Sequence, residues 1–284
     1  MRSRRIRCDS VVALGFCLIT ATAVATLFLY EYLMHNCPLS SRTDDGTPDD
    51  ISNLYPSRKH YGAKTTPLIF IGGYPRSGTT LMRAMLDAHP DVRCGEETHL
   101  IPEILARMMK YHNTSSQRLL EAGITDEVFF SAVGSFILDV IVGHAEAADR
   151  LCNKDPFTLG YAVQLNRMFP LAQFLLMIRD GRAVCHSVEF RDVGIAGIDH
   201  KNLTNCMLSW NNSTKRMYTD CLTLGALKCL PVRYEQLVLH PRSVLTKVLE
   251  FLGVIWNDAV LHHENEINKP GGISLSRLVY FRLM

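Results

Sequence analysis

Gly72-Gly-Tyr-Pro-Arg-Ser-Gly-Thr-Thr80 gathers glycine, hydroxyl and guanidinium groups into nine residues. The apolar run Leu68–Ile71 precedes it, and Leu81, Met82, Met85 and Leu86 follow at helical spacing. Strand, glycine loop and helix is the layout of a phosphate cradle, in which loop N–H groups and the positive end of the helix dipole converge on an anion. Gly73 to Gly78 followed by Thr79-Thr80 nearly spells G-x-x-x-x-G-K-[ST], but Thr79 stands where the lysine belongs. A cation, Arg76, lies inside the loop instead. Without that lysine, and with no evident strand ending in a metal-binding aspartate, nucleotide hydrolysis is disfavoured. An anionic nucleotide held here is expected to break at a different bond. The competing reading is an ordinary strand-to-helix turn whose glycines serve only the bend.

Other groups become relevant through where the strands end. Ligands of open parallel sheets sit beyond the carboxyl ends of the strands. Gln173–Ile178 is a second apolar run that reads as a buried strand, followed by Arg179-Asp-Gly-Arg182 and a helix to about Phe190. Arg179 and Ser187 can then reach one phosphate if the helix begins between them. Tyr234-Glu235 ends a further strand over Cys229–Tyr234. Glu96-Glu97 supplies a carboxylate fit for general-base work, or is simply a solvated loop. Lys154 is either a site cation or a surface lysine.

The elements that must position these groups alternate in type. Asp91–Cys94 reads as a short strand, Ile101–Tyr111 as a helix, and Thr125–Asp149 as a long helix capped by Thr125. The stripe Val128, Phe129, Val133, Phe136 and Val140 on that helix is expected to face the core. Helices follow over Leu203–Leu224 and His240–Leu252. The pattern predicts a three-layer α/β domain with a mainly parallel sheet.

A net charge of +2 in 284 residues gives no basic field that would favour nucleic acid. The nine cysteines include no C-x-x-C pair and no zinc spacing with histidine, so no metal ligand set is expected. Residues 1–9 carry Arg2, Arg4, Arg5 and Arg7, and residues 10–30 run without a charge, long enough to cross a bilayer as a helix. The flanking arginines favour an uncleaved, type II signal anchor over a cleaved signal peptide. Residues 31–66 then form a polar lumenal stem. In an oxidising lumen, disulfides are expected among Cys94, Cys152, Cys185, Cys206, Cys221 and Cys229. Glycosylation triplets stand at Asn113, Asn202, Asn211 and Asn212.

The loop sequence through Ala84-Met-Leu-Asp-Ala-His-Pro90, with Arg93-Cys-Gly-Glu-Glu-Thr98, closely resembles the protein-tyrosine sulfotransferases. So do Cys152-Asn-Lys-Asp-Pro-Phe157, Ile178-Arg-Asp-Gly-Arg182, Tyr234-Glu-Gln-Leu-Val-Leu-His-Pro241 and Gly271-Gly-Ile-Ser-Leu-Ser276. The resemblance runs over residues 67–276 and implies a P-loop-like sulfotransferase fold. It also implies sulfuryl transfer from 3′-phosphoadenosine 5′-phosphosulfate to tyrosine, with no metal.

By position, it assigns the 5′-phosphosulfate to Arg76, Ser77, Gly78, Thr79 and Thr80, and the 3′-phosphate to Arg179, Ser187 and Arg191. Tyr234, Leu275 and Ser276 join the cofactor contacts. Glu97 takes the place of the catalytic base, Lys154 and Ser274 of the transition-state stabilisers, with Arg76 sharing that work. The implied disulfides are Cys94–Cys152 and Cys221–Cys229. The implied setting is the Golgi membrane with the catalytic domain lumenal, a homodimer, and acidic tyrosine-containing segments of secretory proteins as partners.

Three departures stand out. His99 and Glu103 replace arginines that help hold acidic peptides in the family. Tyr74 replaces a smaller loop residue. After Ser276 the chain leaves the family pattern, and residues 277–284 read as a truncated end. Two other readings follow: an inactive or regulatory form that binds the nucleotide or a full-length partner, and a sulfotransferase for a non-peptide acceptor such as a glycan.

Overall fold

The computed structural model describes residues 61–144, 147–190 and 202–267. The expected anchor, stem and residues 277–284 lie outside the described residues, as do Arg191, Ser274, Leu275 and Ser276. Among the described residues no helix is long and apolar enough to cross a membrane.

Strand β1 (Ile69–Gly73) is buried along its whole length. It lies at the centre of a sheet with β2 (Val92–Arg93), β3 (Arg150–Lys154), β4 (Gln173–Ile178) and β5 (Cys229–Arg233), in the order β2-β3-β1-β4-β5. Every pairing is parallel, with Ile71 opposite Lys154, Gly73 opposite Met177 and Ile178 opposite Arg233. Burial on both faces explains why β1 and β4 read as continuous apolar runs.

Because successive strand side chains point to opposite faces, each strand feeds two cores. Leu68, Phe70, Phe174 and Leu176 pack with α2 (Leu100–Glu121), α3 (Asp126–His144), α4 (Ala162–Met168) and α6 (Leu203–Leu224). Ile69, Ile71, Leu175 and Met177 pack on the other side with α1 (Thr79–Asp87) and α8 (Pro241–Leu252). The remaining helices are α5 (Gly181–Phe190) and α7 (Tyr234–Leu239). The three-layer α/β reading therefore holds.

Several elements differ from expectation. Strand β3 has no apolar run to announce it, since Arg150 and Lys154 bound it and Asn153 lies within. Its burial comes from pairing with both neighbours. Helix α2 continues ten residues past the expected Tyr111, and α3 stops at His144 rather than Asp149. Val128 and Phe136 of the expected core stripe are 49% and 44% exposed, whereas Phe129, Phe130, Val133, Ile137, Leu138 and Ile141 are buried. Apolar residues all round α3 leave the stripe ambiguous, and packing picks the face. Tyr234 opens α7 instead of closing β5.

Among the described residues three disulfides join the elements. Cys94–Cys152 and Cys221–Cys229 are joined as the resemblance implied, and Cys185–Cys206 adds a link between α5 and α6.

Candidate active site

The carboxyl edge of the sheet begins with the loop after β1. A Cβ on Gly73 would lie 2.4 Å from the Met177 carbonyl oxygen, so only glycine lets β1 and β4 approach so closely there. The Ser77 N–H donates to the Tyr74 carbonyl at 3.1 Å, closing the turn, and Arg76 adopts a left-handed φ of 71°. Gly78 is left-handed as well, with φ 98°, and a Cβ on it would meet the Tyr234 ring at 2.4 Å. Helix α1 then starts at Thr79 with no side-chain cap, leaving its first N–H groups for the loop side. Tyr74 is buried against Val184, Val188 and Trp210, and donates its hydroxyl to Ser209 Oγ at 3.1 Å.

The groups expected at the other strand ends converge on this loop. Arg76 Nε donates to Ser187 Oγ at 3.1 Å, and Arg179 Nη1 donates to the Arg76 carbonyl at 2.9 Å. The Arg179 guanidinium stacks over the Tyr234 ring, 4.4 Å from its centre. Helix α5 begins at Gly181, between Arg179 and Ser187 as required, and the Asp180 N–H donates to Glu235 Oε1 at 2.9 Å. Two arginines, one serine and a glycine loop are thus linked at one corner of this edge.

Lys154 ends β3 opposite Ile71, and the Asp155 N–H donates to the Ile71 carbonyl at 3.2 Å, which puts both at the same edge. The Lys154 ammonium donates to Glu97 Oε2 in an ion pair. Burial pushes the Lys154 amine down from its usual range, and the Glu97 charge opposes that shift. Asp155 is pushed up to about 6, first by burial and then by the neighbouring Glu97 charge. The His99 N–H donates to Asp155 Oδ2 at 3.0 Å, and its ring Nδ1 lies 3.4 Å from Glu97 Oε1. A cavity of about 430 Å³ opens beside this cluster, walled by His99, Glu103, Asp155, Phe157, Tyr161 and Arg216.

Among the described residues Glu97, His99 and Asp155 hold donor atoms within 4.8 Å of one another, a spacing a metal ion could bridge. The Lys154 cation already occupies Glu97 Oε2.

The segment carrying Glu97 is anchored by a buried pair that sequence reasoning did not single out. Arg83 Nη2 lies 3.4 Å from Asp87 Oδ2, Asp87 Oδ1 accepts the Cys94 N–H at 2.8 Å, and Arg83 Nε donates to the Cys94 carbonyl at 3.2 Å. Burial raises the Asp87 carboxyl above its usual range. The available signal was an Arg and an Asp four residues apart on the apolar stripe of α1. Asp155 was missed too, although its place next to Lys154 marked it.

Residues 67–258 match the description "Sulfotransferase family". This chain belongs to the sulfotransferase family. Two curated relatives of the sulfotransferase are the protein-tyrosine sulfotransferase 2 of Gallus gallus and the protein-tyrosine sulfotransferase of Drosophila melanogaster. The first is 56% identical over 218 residues, covering 76% of this chain and 59% of the relative. The second is 48% identical over 270 residues, covering 90% and 53%. The chain thus spans little more than half the length of these two relatives. Among solved structures, the sulfotransferase domain of the Synechococcus PCC 7002 olefin synthase shares the fold, with TM-score 0.51 and 23% identity over 73% of this chain and 80% of that one.

Proposed function

We propose that the sulfotransferase moves a sulfuryl group from 3′-phosphoadenosine 5′-phosphosulfate to tyrosine hydroxyls of proteins. One observation carries the reading: the Glu97–Lys154 pair stands at the same sheet edge as a lysine-free anion cradle. The names of the curated relatives support tyrosine as acceptor.

The residues present fit an anionic donor. A Cβ at Gly78 would strike Tyr234, so the loop stays open only with glycine there, and Arg76 and Arg179 supply positive charge. Ser77 to Thr80 and Arg76 would hold the phosphosulfate end. Arg179 and Ser187, with Arg191, would hold the 3′-phosphate. The donor supplies an activated sulfuryl group whose leaving group is a phosphate.

The chain's own residues do the rest. A phenol with a pKa of roughly 10 is a poor nucleophile at neutral pH, so Glu97 accepts its proton as the oxygen attacks. Lys154, almost wholly buried, presents its charge where little water screens it, which strengthens its hold on developing negative charge. Arg76 and Ser274 share that role.

The cellular setting belongs to the same proposal: a type II anchor over residues 10–30, a Golgi-lumenal domain, and homodimers. Three disulfides are what an oxidising compartment permits. The test is sulfate incorporation by the full chain into a tyrosine peptide, with Glu97→Ala as control. Incorporation that disappears in the control supports the reading. Retained binding of 3′-phosphoadenosine 5′-phosphate without incorporation would overturn it, and incorporation into a carbohydrate alone would reassign the acceptor.

A further inference from the structure

Sulfuryl transfer to a phenol releases one proton per turnover, and the site offers few ways out for it. Glu97 is 24% exposed and its Oε2 carries Lys154, an ammonium that cannot take another proton. Asp155 is 1% exposed, and its Oδ2 is engaged by the His99 N–H. Among the described residues the His99 ring also adjoins both carboxylates, 79% exposed, with Nδ1 3.4 Å from Glu97 Oε1 and 3.9 Å from Asp155 Oδ1.

The backbone holds the ring's root in place. His99 sits in the left-handed region at φ 58° immediately before α2, with its N–H on the buried Asp155. Its ring therefore spans the distance between a half-covered carboxylate and bulk water. Other charged groups facing this corner are Glu103 of α2, bound to Arg107 at 2.7 Å, and Arg216 of α6, which donates to the Gly160 carbonyl.

We infer that His99 is the proton relay of this site, acting through Glu97. The inference rests on the sulfotransfer reading. The phenolic O–H bond breaks as the new O–S bond forms, and the proton passes to Glu97 Oε1. Neutral His99 takes it on Nδ1, leaving the carboxylate ready for the next acceptor. The imidazolium then gives up its Nε2 proton to water or buffer, and proton exchange with solvent at the exposed ring returns the Nε2–H tautomer, whose Nδ1 is free to accept again.

The test is chemical rescue in the full chain. His99→Ala lowers kcat about tenfold, a part of the usual general acid–base effect, with the KM for the donor unchanged. Added imidazole restores kcat in proportion to its neutral form. His99→Gln, which fills the same space, stays slow and is not rescued. Binding of 3′-phosphoadenosine 5′-phosphate by calorimetry stays at the wild-type level in both variants. Independently of activity, the His99 Nδ1 resonance in 15N-labelled protein moves on Glu97→Gln. An unchanged kcat in His99→Ala, a loss that imidazole does not restore, or an unmoved Nδ1 resonance overturns the relay alone. A wild-type protein that binds the nucleotide yet sulfates no tyrosine peptide overturns the relay together with the function on which it rests.

Discussion

Lys154 and Asp155 are consecutive residues whose side chains both lie out of water at the end of β3. Burial opposes charge on each, but only Lys154 has a full ion-pair partner, Glu97. Removing Lys154 therefore leaves Glu97 beside Asp155 without the ammonium that pairs with it. Lys154→Ala is expected to lower kcat by about 10²–10³-fold, the range for loss of one transition-state donor, while 3′-phosphoadenosine 5′-phosphate still binds. Asp155 adds a pH signature. Its folded pKa of about 6 lies above the ordinary aspartate value of 3.8, so the protonated form is favoured on folding. Its contribution to stability is fully present below about pH 4 and lost as pH rises through 6, on the order of 3 kcal/mol. Urea melts across that window are expected to show the loss in wild type and to lack it in Asp155→Asn, whose amide oxygen can still accept the His99 N–H.

The elements show which local features matter. The start of α1 depends on Gly78, because any side chain there meets the Tyr234 ring and must adopt a left-handed backbone. Gly78→Ala is expected to cost about 1–2 kcal/mol from the backbone alone and to weaken binding of 3′-phosphoadenosine 5′-phosphate by calorimetry. Helix α3 can be tested face by face. Ile137 is fully buried while its neighbour Phe136 is 44% exposed. Ile137→Ala should cost about 2–5 kcal/mol, and Phe136→Ala under about 1 kcal/mol, both read by chemical denaturation. Between α5 and α6, Cys185–Cys206 closes a loop with sequence separation 21. Replacing both cysteines by serine is expected to lower stability by about 3 kcal/mol, following loop-closure entropy.

At the scale of the molecule, the parallel sheet delivers the site. β1 ends at the glycine loop, β3 at Lys154, β4 at Arg179 next to its last residue, and β5 at Tyr234. Because every pairing is parallel, all four ends share one edge. A ligand bridging that edge ties the centre of the sheet to both flanks. Bound 3′-phosphoadenosine 5′-phosphate at 100-fold above its Kd should stabilise the protein by about 2.7 kcal/mol. A thermal-shift titration checks this, and Arg179→Ala, which removes the bond to the Arg76 carbonyl and the stack on Tyr234, should abolish most of the shift.

Sequence by itself determined the cradle, the two central strands, and the alternation that makes an α/β sheet. Apolar runs bounded by glycine leave little choice when both faces must be covered, and the loop's glycines follow from the close approaches at Gly73 and Gly78. It also supplied Glu97, Lys154, Arg179, Ser187 and Tyr234 as separate candidates, with their roles implied by the resemblance. Tertiary structure decided what periodicity leaves open. It made Arg150–Lys154 a strand, since pairing on both sides rather than hydrophobicity buries it. It turned Val128 and Phe136 outward, because an all-round apolar helix has no unique face until neighbours pack. And it brought the His99 N–H onto Asp155, 56 positions away, with the exposed ring beside Glu97, a junction of loop and strand end that no local spacing encodes.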